Sequence, residues 1–147
     1  KDVIYSDTPA QATNPKRNDT LALKGPKRVL VIDDDAVITS FIATVLRNDG
    51  YQLIVTDSVE KALDGFSTMN YALVITDIFM QGMGGIKGIS EIREHNPKVK
   101  IIAMSGGFEG MNAEEALKAA RKIGADAVMA KPLSAKTITT TVGKILS

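Results

Sequence analysis

The stretch Tyr71-Ala72-Leu73-Val74-Ile75-Thr76-Asp77-Ile78-Phe79-Met80 has the pattern of a buried strand that ends in a single carboxylate. Leu73, Val74 and Ile75 form a continuous apolar run, which is typical of a central parallel strand covered on both faces. In α/β proteins the chemistry lies beyond the carboxyl ends of such strands, where Asp77 stands. Taken alone, this aspartate has an ordinary explanation as a loop or helix-cap residue. The residues that follow the other strands are needed to tell whether Asp77 has a function.

The composition limits the class of protein. The chain has 147 residues, which suit one domain, and its hydrophobic fraction of 44% is enough for a substantial core. A net charge of +1 implies no polyanion-sized partner. The lack of cysteine excludes disulfides and thiolate metal sites, and the single histidine, His95, excludes a multi-histidine metal site. No apolar run is long enough to span a bilayer, and no signal-peptide pattern is present.

The first part of the chain differs in composition from the remainder. Residues 8–19 are polar and rich in proline and asparagine, with no apolar period, which is typical of a linker or arm. Gly25-Pro26 then marks a boundary. We therefore predict an N-terminal arm or linker over 1–26 and one folded domain over 27–147.

Within that domain, apolar strands alternate with helices. Strands are predicted at 29–32, 53–55, 73–77, 99–104 and 127–130, and apolar residues recur at helical spacing over 38–46, 59–66, 86–92, 116–123 and 138–145. The last helix is β-branched between Thr137 and Val142, which locally favours a strand, but its apolar stripe favours a helix. The alternation predicts an α/β fold: a flavodoxin-like, doubly wound, five-stranded parallel sheet of order 2-1-3-4-5 with five helices.

Polar residues follow the strands at one edge of this sheet. The switch point lies between the first and third strands, so Asp33, Asp34 and Asp77 are expected at one cleft. Clustered carboxylates repel each other, and Mg²⁺ relieves that repulsion because it takes carboxylate, water and phosphate oxygens as ligands. Ser105 and Lys131 end the next two strands, where a hydroxyl and an ammonium can hold a phosphoryl group on Asp77. Each residue alone could be a cap, a turn residue or a solvated charge, but the five together indicate a site.

With these residues established, the chain from 27 to 147 resembles the receiver domain of two-component response regulators, and is similar to the receivers of chemotaxis. The resemblance lies in four motifs taken in order: Val31-Ile32-Asp33-Asp34-Asp35, Ile75-Thr76-Asp77-Ile78-Phe79-Met80, Ala103-Met104-Ser105-Gly106 and Lys131-Pro132. The resemblance implies a cytoplasmic phosphoacceptor signalling domain rather than an enzyme, with at most its own phosphorylation and dephosphorylation as activity.

The resemblance also implies roles for individual residues. Asp77 would receive phosphate from a sensor histidine kinase or a histidine phosphotransfer protein, Ser105 would be the switch hydroxyl, and Lys131 would pair with the acyl phosphate. A homodimer through the fourth and fifth predicted helices is a further hypothesis, and neither direct binding of nucleic acid nor membrane association is expected.

A Mg²⁺ site is implied in the same way. Asp33 and Asp34 would hold the ion, with Asp34 and Asp77 as direct ligands and the backbone carbonyl of Phe79 as another. No other cofactor is expected.

Three departures from the receiver pattern affect the expected output. The usual Met-Pro-x-Met-Asp-Gly loop is Met80-Gln81-Gly82-Met83-Gly84-Gly85 here, so we expect a looser loop because its proline is missing. Val128 occupies the position of the switch aromatic, so the swing of an aromatic ring cannot carry the signal. The segment from Ser105 to Lys131 is also longer than in short receivers. We expect the signal to run from Ser105 through 106–110 into the fourth predicted helix.

Two alternatives remain open. In a phosphatase of the haloacid dehalogenase class, Asp33 would be the nucleophile and Asp35 the general acid. That class needs further acidic Mg²⁺ ligands after its lysine, yet no Asp or Glu follows Asp126, and Asp77 would have no role. The second alternative is a degenerate receiver that serves only as an interaction module, and the intact set of site residues argues against it.

Overall fold

The computed structural model describes residues 26–78, 85–106, 112–122 and 124–147. These residues form one five-stranded sheet in the order β2-β1-β3-β4-β5, and every pairing is parallel. The strands are β1 Arg28–Ile32, β2 Gln52–Thr56, β3 Leu73–Asp77, β4 Lys100–Ser105 and β5 Ala127–Ala130. The predicted flavodoxin-like sheet and its strand order are therefore confirmed.

The described residues contain six helices rather than the five predicted. They are α1 Ala36–Asn48, α2 Val59–Leu63, α3 Phe66–Met69, α4 Gly85–His95, α5 Ala113–Lys122 and α6 Ala135–Leu146. The extra one arises because the helix predicted over 59–66 is interrupted. Asp64 is extended, with ψ 116°, and Gly65 has φ +72°, a left-handed conformation that glycine adopts readily. The fourth and fifth predicted helices correspond to α5 and α6.

Both faces of the sheet are covered by helices. Alternate residues of each strand point to opposite faces, so each continuous apolar strand supplies two cores. On one face, β1, β3 and β4 pack against α2, α3, α4 and α5, with a cluster that includes Leu30, Val74, Ile89, Ile101 and Ala120. On the other face the strands pack against α1 and α6. That second cluster includes Val31, Leu46, Ile75, Ile102 and Val142.

The helices begin at residues that the sequence supplies as caps. The Asp35 side chain accepts a hydrogen bond from Val37 N, and the Ser58 side chain accepts one from Lys61 N. Asn112 and Glu115 form a capping box at the start of α5. α6 begins at Ser134, and its buried Ile138 and Val142 explain why a β-branched segment is helical here.

The environment of two helix positions is not evident from the apolar spacing. Phe41 lies within the apolar segment 38–46 but is 40% exposed, whereas the neighbouring Ile42 is buried. A Cβ at Gly88 would lie 2.9 Å from Val59 Cγ2, so glycine allows α4 to pack closely on α2.

None of the helices in the described parts of the chain combines the length and the apolar character that a bilayer span requires.

Candidate functional site

The three predicted metal-binding aspartates meet at the carboxyl edge of the sheet. β1 and β3 are neighbours, with Ile32 opposite Thr76, so Asp33 and Asp77 follow paired positions. The residues Asp33 and Asp77 are 2% and 4% exposed, whereas Asp34 is exposed. One carboxylate oxygen from each of the three aspartates lies within 4.8 Å of the other two.

Backbone hydrogen bonds hold Asp33 in place. Its amide donates to Thr56 O at 3.2 Å, which continues the pairing of β1 with β2 beyond the strand end. Its Oδ1 accepts from Asp35 N at 2.9 Å, which fixes the turn into α1. The Asp35 carboxylate is directed to Val37 N as the helix cap. Asp35 therefore has a structural role, unlike the general acid of the dehalogenase alternative.

Lys131 brings one positive charge to these carboxylates. Its Nζ lies 3.0 Å from Asp33 Oδ2 and 3.5 Å from Asp77 Oδ1. Burial by itself would lower the pKa of Lys131, but the hydrogen bond to Asp33 and the charges of Asp77 and Asp33 outweigh burial, so its pKa is raised. The ammonium therefore remains charged at neutral pH. The sequence had indicated a phosphoryl partner for Lys131, but not its close pairing with Asp33.

Ser105 ends β4, which lies between β3, the strand that ends at Asp77, and β5, the strand that Lys131 follows. β4 pairs with β3 and with β5, so Ser105 is opposite Ala130, and its neighbour Met104 is opposite Asp77. The carbonyl of Ser105 accepts a hydrogen bond from Lys131 N at 2.9 Å, and the residue is fully buried. The Lys131–Pro132 peptide bond that comes next is cis. The ends of β1, β3, β4 and β5 thus converge on one edge.

Some predicted features lie outside the described residues. These are the carbonyl of Phe79, the loop that follows it over 80–84, and residues 107–111 on the approach to α5. His95, which the sequence left out of any metal site, is exposed at the end of α4, with Nδ1 2.9 Å from Glu91 O.

The donor set fits a hard divalent cation. Three carboxylates and one ammonium leave a net negative charge, and two of the carboxylates are almost fully buried. Such a group repels itself unless a cation is supplied from outside. Mg²⁺ prefers oxygen ligands and keeps several waters, which suits a cluster in which Asp34 remains exposed to solvent.

A groove lies beside this site, between α5 and β5. It has a volume of about 1220 Å³, and its apolar lining includes Ala119, Val128 and Ala130. Charged residues of α5 line the rest: Glu114, Glu115, Lys118, Arg121 and Lys122. Val128 is half-buried and packs against the core cluster below it.

With this geometry established, comparison with known proteins gives the class of the chain. Residues 29–143 match the family model of the response regulator receiver domain. The chain therefore belongs to the response regulator receiver family and is a receiver domain of two-component signalling. Receiver domains take phosphate from histidine kinases and bind Mg²⁺ at an acidic pocket.

Individual relatives agree with this class. The chain is 31% identical over 126 residues to chemotaxis protein CheY of Treponema pallidum, covering 82% of this chain and 83% of that protein. It is 31% identical over 119 residues to transcriptional regulatory protein ZraR of Escherichia coli, covering 81% of this chain but 26% of ZraR. The solved receiver domain of NtrX from Brucella abortus matches with a TM-score of 0.74 at 26% identity, covering 80% of this chain and 97% of that domain. None of these findings supports the haloacid dehalogenase alternative.

Proposed function

We propose that Asp77 is the phosphoacceptor of this receiver domain. The position of Asp77 carries the proposal. Asp77 ends the central strand β3 at the switch point, is 4% exposed, and belongs to the carboxylate cluster with Asp33 and Asp34. Its Oδ1 lies 3.5 Å from Lys131 Nζ, and Ser105 ends the neighbouring strand. Asp33 instead holds the turn into α1, since its Oδ1 accepts from Asp35 N.

The proposed reaction is the transfer of a phosphoryl group from a phosphohistidine. An oxygen of Asp77 attacks phosphorus, a P–O bond forms, the P–N bond breaks, and the nitrogen keeps the electron pair. Lys131 and Ser105 are positioned at the same edge to hold oxygens of the transferred group, which develops negative charge as it moves. Asp33, Asp34, Asp77 and the Phe79 carbonyl would hold Mg²⁺, which supplies positive charge to phosphoryl oxygens when bound.

The test is labelling by acetyl phosphate and mapping of the modified residue. We expect label on Asp77 alone, only with Mg²⁺ present, and none in Asp77→Asn. Asp35→Asn is the matched control, because asparagine also caps helices and Asp35 lies outside the carboxylate cluster. It should be labelled at the wild-type rate. Label that persists at that rate in Asp77→Asn, or label on Asp33, would refute the assignment.

The same sample tests whether the domain is an enzyme. We propose that its activity is limited to its own phosphorylation and dephosphorylation. The role of Asp35 as the cap of α1 supports this view, because a dehalogenase-type phosphatase would use that carboxylate as its general acid. Sustained hydrolysis of a small phosphoester by the chain, lost in Asp33→Asn but kept in Asp77→Asn, would support the dehalogenase mechanism instead.

We propose a sensor histidine kinase or a histidine phosphotransfer protein as the phosphodonor, docked on α1. Residues 36–46 contain no charged residue, and Val37 and Phe41, one turn apart, are 76% and 40% exposed. Val37 lies close in sequence to Asp33 and Asp34, so a donor docked on this apolar surface would lie beside the carboxylate cluster. Val37→Glu should slow transfer from a phosphodonor protein by about tenfold but leave labelling by acetyl phosphate unchanged. An equal effect on both donors would contradict docking here.

We propose that the output runs from Ser105 into α5. Val128 supports this route, because the aromatic side chain typical of the family is replaced by a half-buried valine. Hydrogen exchange with and without beryllofluoride and Mg²⁺ tests it. We expect altered protection over 106–117 that is lost in Ser105→Ala. Changes confined to α6, or unaffected by Ser105→Ala, would contradict the route.

The charges of α5 support a homodimer through α5 and α6. Glu114 and Glu115 lie in its first turn, and Arg121 and Lys122 in its last. A two-fold axis would pair these helices antiparallel and place acidic residues opposite basic ones across the apolar floor of the groove. Glu115→Lys with Arg121→Glu should restore a dimer that either single change weakens, as measured by analytical ultracentrifugation after phosphorylation. A monomer at every concentration would refute the proposal.

We also propose that the receiver domain occupies 27–147, that 1–26 form an N-terminal arm or linker, and that the protein is cytoplasmic and does not bind nucleic acid directly. The family match over 29–143 supports the boundary, and the net charge of +1 supports the absence of nucleic-acid binding. Limited proteolysis that leaves a stable fragment beginning near 27 would be the expected result.

A further inference from the structure

Arg93 forms a cluster of hydrogen bonds at the amino edge of the sheet, opposite the carboxylate site. It lies in the last turn of α4. Its Nη1 donates to Pro97 O at 2.9 Å and to Val99 O, and its Nη2 donates to Gly124 O at 2.7 Å and to Asp126 Oδ2 at 3.1 Å. The guanidinium suits this task because it presents several donors in a fixed plane. We call these contacts the Arg93 clasp.

The clasp ties the carboxyl-terminal end of α5 to the start of β4. Besides binding Arg93, Asp126 Oδ2 accepts a hydrogen bond from Ile101 N at 2.9 Å, and Asp126 N donates to Ile101 O at 2.7 Å. Gly124 has φ +124°, a conformation that other residues rarely adopt. Ala125 N donates back to Ala120 O. The turn after α5 is therefore held from both sides.

The other end of α5 lies at the carboxyl edge of the sheet, which carries the candidate site. β4 ends at Ser105 on the carboxyl edge, and the chain enters α5 at Ala113 after residues 106–112. The helix then returns across the sheet to the amino edge, where β5 begins at Ala127. One end of α5 is thus connected to the switch hydroxyl, and the other end is fixed by the Arg93 clasp.

We propose that the Arg93 clasp is the pivot of α5 in the signalling response. A change at Ser105 moves the first turns of the helix, while the last turn and residues 124–126 keep their place. Because α5 is rigid and held at one end, displacement of its first turns would tilt the helix. In such hinge motions, a few residues at the fixed end absorb the change in backbone dihedral angles. The inference rests on the proposed function, because it takes Ser105 as the origin of the change. Arg93 is a positioning residue in this scheme.

The test is hydrogen exchange of the full chain with and without Mg²⁺ and beryllofluoride. In the wild type, we expect protection over 113–118 to change by about tenfold, and protection over 121–126 by less than about twofold. In Arg93→Lys, which keeps the charge but cannot bind all four acceptors, the response should extend to 121–126 with a similar fold-change. Asp126→Asn, which removes the negative charge but keeps a side-chain oxygen that can accept from Ile101 N, should show the same extension to a smaller degree.

Arg28→Lys is the matched control. Arg28 also lies at the amino edge, and its guanidinium donates to Met69 O and Gln52 Oε1, so it holds α3 and β2 rather than α5. This variant should retain the wild-type pattern of response.

Two results would overturn the pivot. One is a wild-type response that is equally large at both ends of α5 or is absent from α5. The other is a wild-type pattern in both Arg93→Lys and Asp126→Asn. Phosphorylation of Asp77 by acetyl phosphate is measured on separate aliquots of the same preparations, without beryllofluoride, so the two proposals can fail separately. If Asp77 is labelled and either of these results is found, the pivot alone is contradicted. If Asp77 of the wild type is not labelled, the proposed function is contradicted, and the pivot with it.

Discussion

The two edges of the sheet hold their charges in different ways. At the amino edge, Arg28 and Arg93 donate hydrogen bonds mainly to backbone carbonyls, and the single carboxylate in the Arg93 clasp, Asp126, also accepts a backbone amide. At the carboxyl edge, three carboxylates approach within 4.8 Å, and among the described residues Lys131 is the cation that contacts them.

This difference separates a structural cluster from a functional one. At the amino edge, Nη1 and Nη2 of Arg93 each meet two acceptors inside the protein, so these charges are paired without a cation from solvent. The carboxyl edge has three carboxylates against one ammonium, an arrangement that a divalent cation from solvent would stabilise. Stability at the first edge should therefore be independent of Mg²⁺, and stability at the second should depend on it.

The largest effect is expected for Lys131→Met without metal. Removing one partner of a buried ion pair costs about 3–5 kcal/mol, and the 22% exposure of the Lys131 side chain reduces the expected loss to about 2–3 kcal/mol. Two buried carboxylates would then lack their ammonium. Because Mg²⁺ can replace that charge, it should recover most of the loss, as measured by urea unfolding in EDTA and in Mg²⁺.

Lys136→Met is the control for this experiment, since Lys136 is exposed on α6 and lies outside the carboxylate cluster. It should change the free energy of unfolding by less than about 0.5 kcal/mol in either buffer. A loss in Lys131→Met that Mg²⁺ leaves unchanged would show that the carboxyl edge does not depend on the cation.

The second effect is expected for Arg93→Met, at about 2 kcal/mol. The substitution keeps part of the aliphatic stem but removes four hydrogen bonds and leaves acceptors that are only partly reached by water. The loss should be equal in EDTA and in Mg²⁺, in contrast to Lys131→Met. A loss that shrinks on adding Mg²⁺ would mean that the two edges are coupled in the resting protein.

Much of the sheet could be predicted from sequence because its signal is local. Each strand is a short apolar run, and a polar residue comes directly after it where the run meets solvent at the carboxyl edge. Asp33, Asp77 and Lys131 could therefore be assigned to one edge from the strand order alone. The break at Gly65 could not be predicted, because the apolar spacing of Val59, Ala62, Leu63 and Phe66 continues through it.

The Arg93 clasp could not be predicted either, for a different reason. An arginine in the last turn of a helix is usually a solvated charge. Its acceptors here are backbone carbonyls and one carboxylate on other segments, and a carbonyl gives no signal in the sequence. The exposure of Phe41 was missed because neighbouring positions of a helical stripe can fall on either side of the core boundary. Hydrogen bonds to backbone carbonyls can therefore be identified only from the structure.

A smaller effect, of opposite sign, is expected for Asp77→Asn. Without metal, the variant removes one of three crowded negative charges while Asp33 keeps its closer contact with Lys131, so stability should rise by about 1 kcal/mol. Mg²⁺ at about a hundredfold excess over its Kd should stabilise the wild type by about 2.7 kcal/mol and the variant by less. Asp35→Asn should behave as the wild type. A metal-free Asp77→Asn protein that is less stable than the wild type would refute the repulsion argument.

The smallest effect concerns pH at the amino edge. Burial raises the pKa of the Tyr71 phenol above its ordinary value of 10.0, and the charge of Arg28 offsets part of this rise. The unfolded chain therefore loses this proton at a lower pH than the folded protein. The contribution of Tyr71 to stability is full below about pH 10 and is lost as pH rises through the folded pKa.

Urea unfolding between about pH 8 and about pH 11 should show a steeper alkaline decline in the wild type than in Tyr71→Phe. Tyr51, whose pKa is also raised by burial and by Asp49, remains in both proteins, so its slope cancels in the comparison. Parallel curves would show that the Tyr71 phenol titrates alike in the folded and unfolded chain.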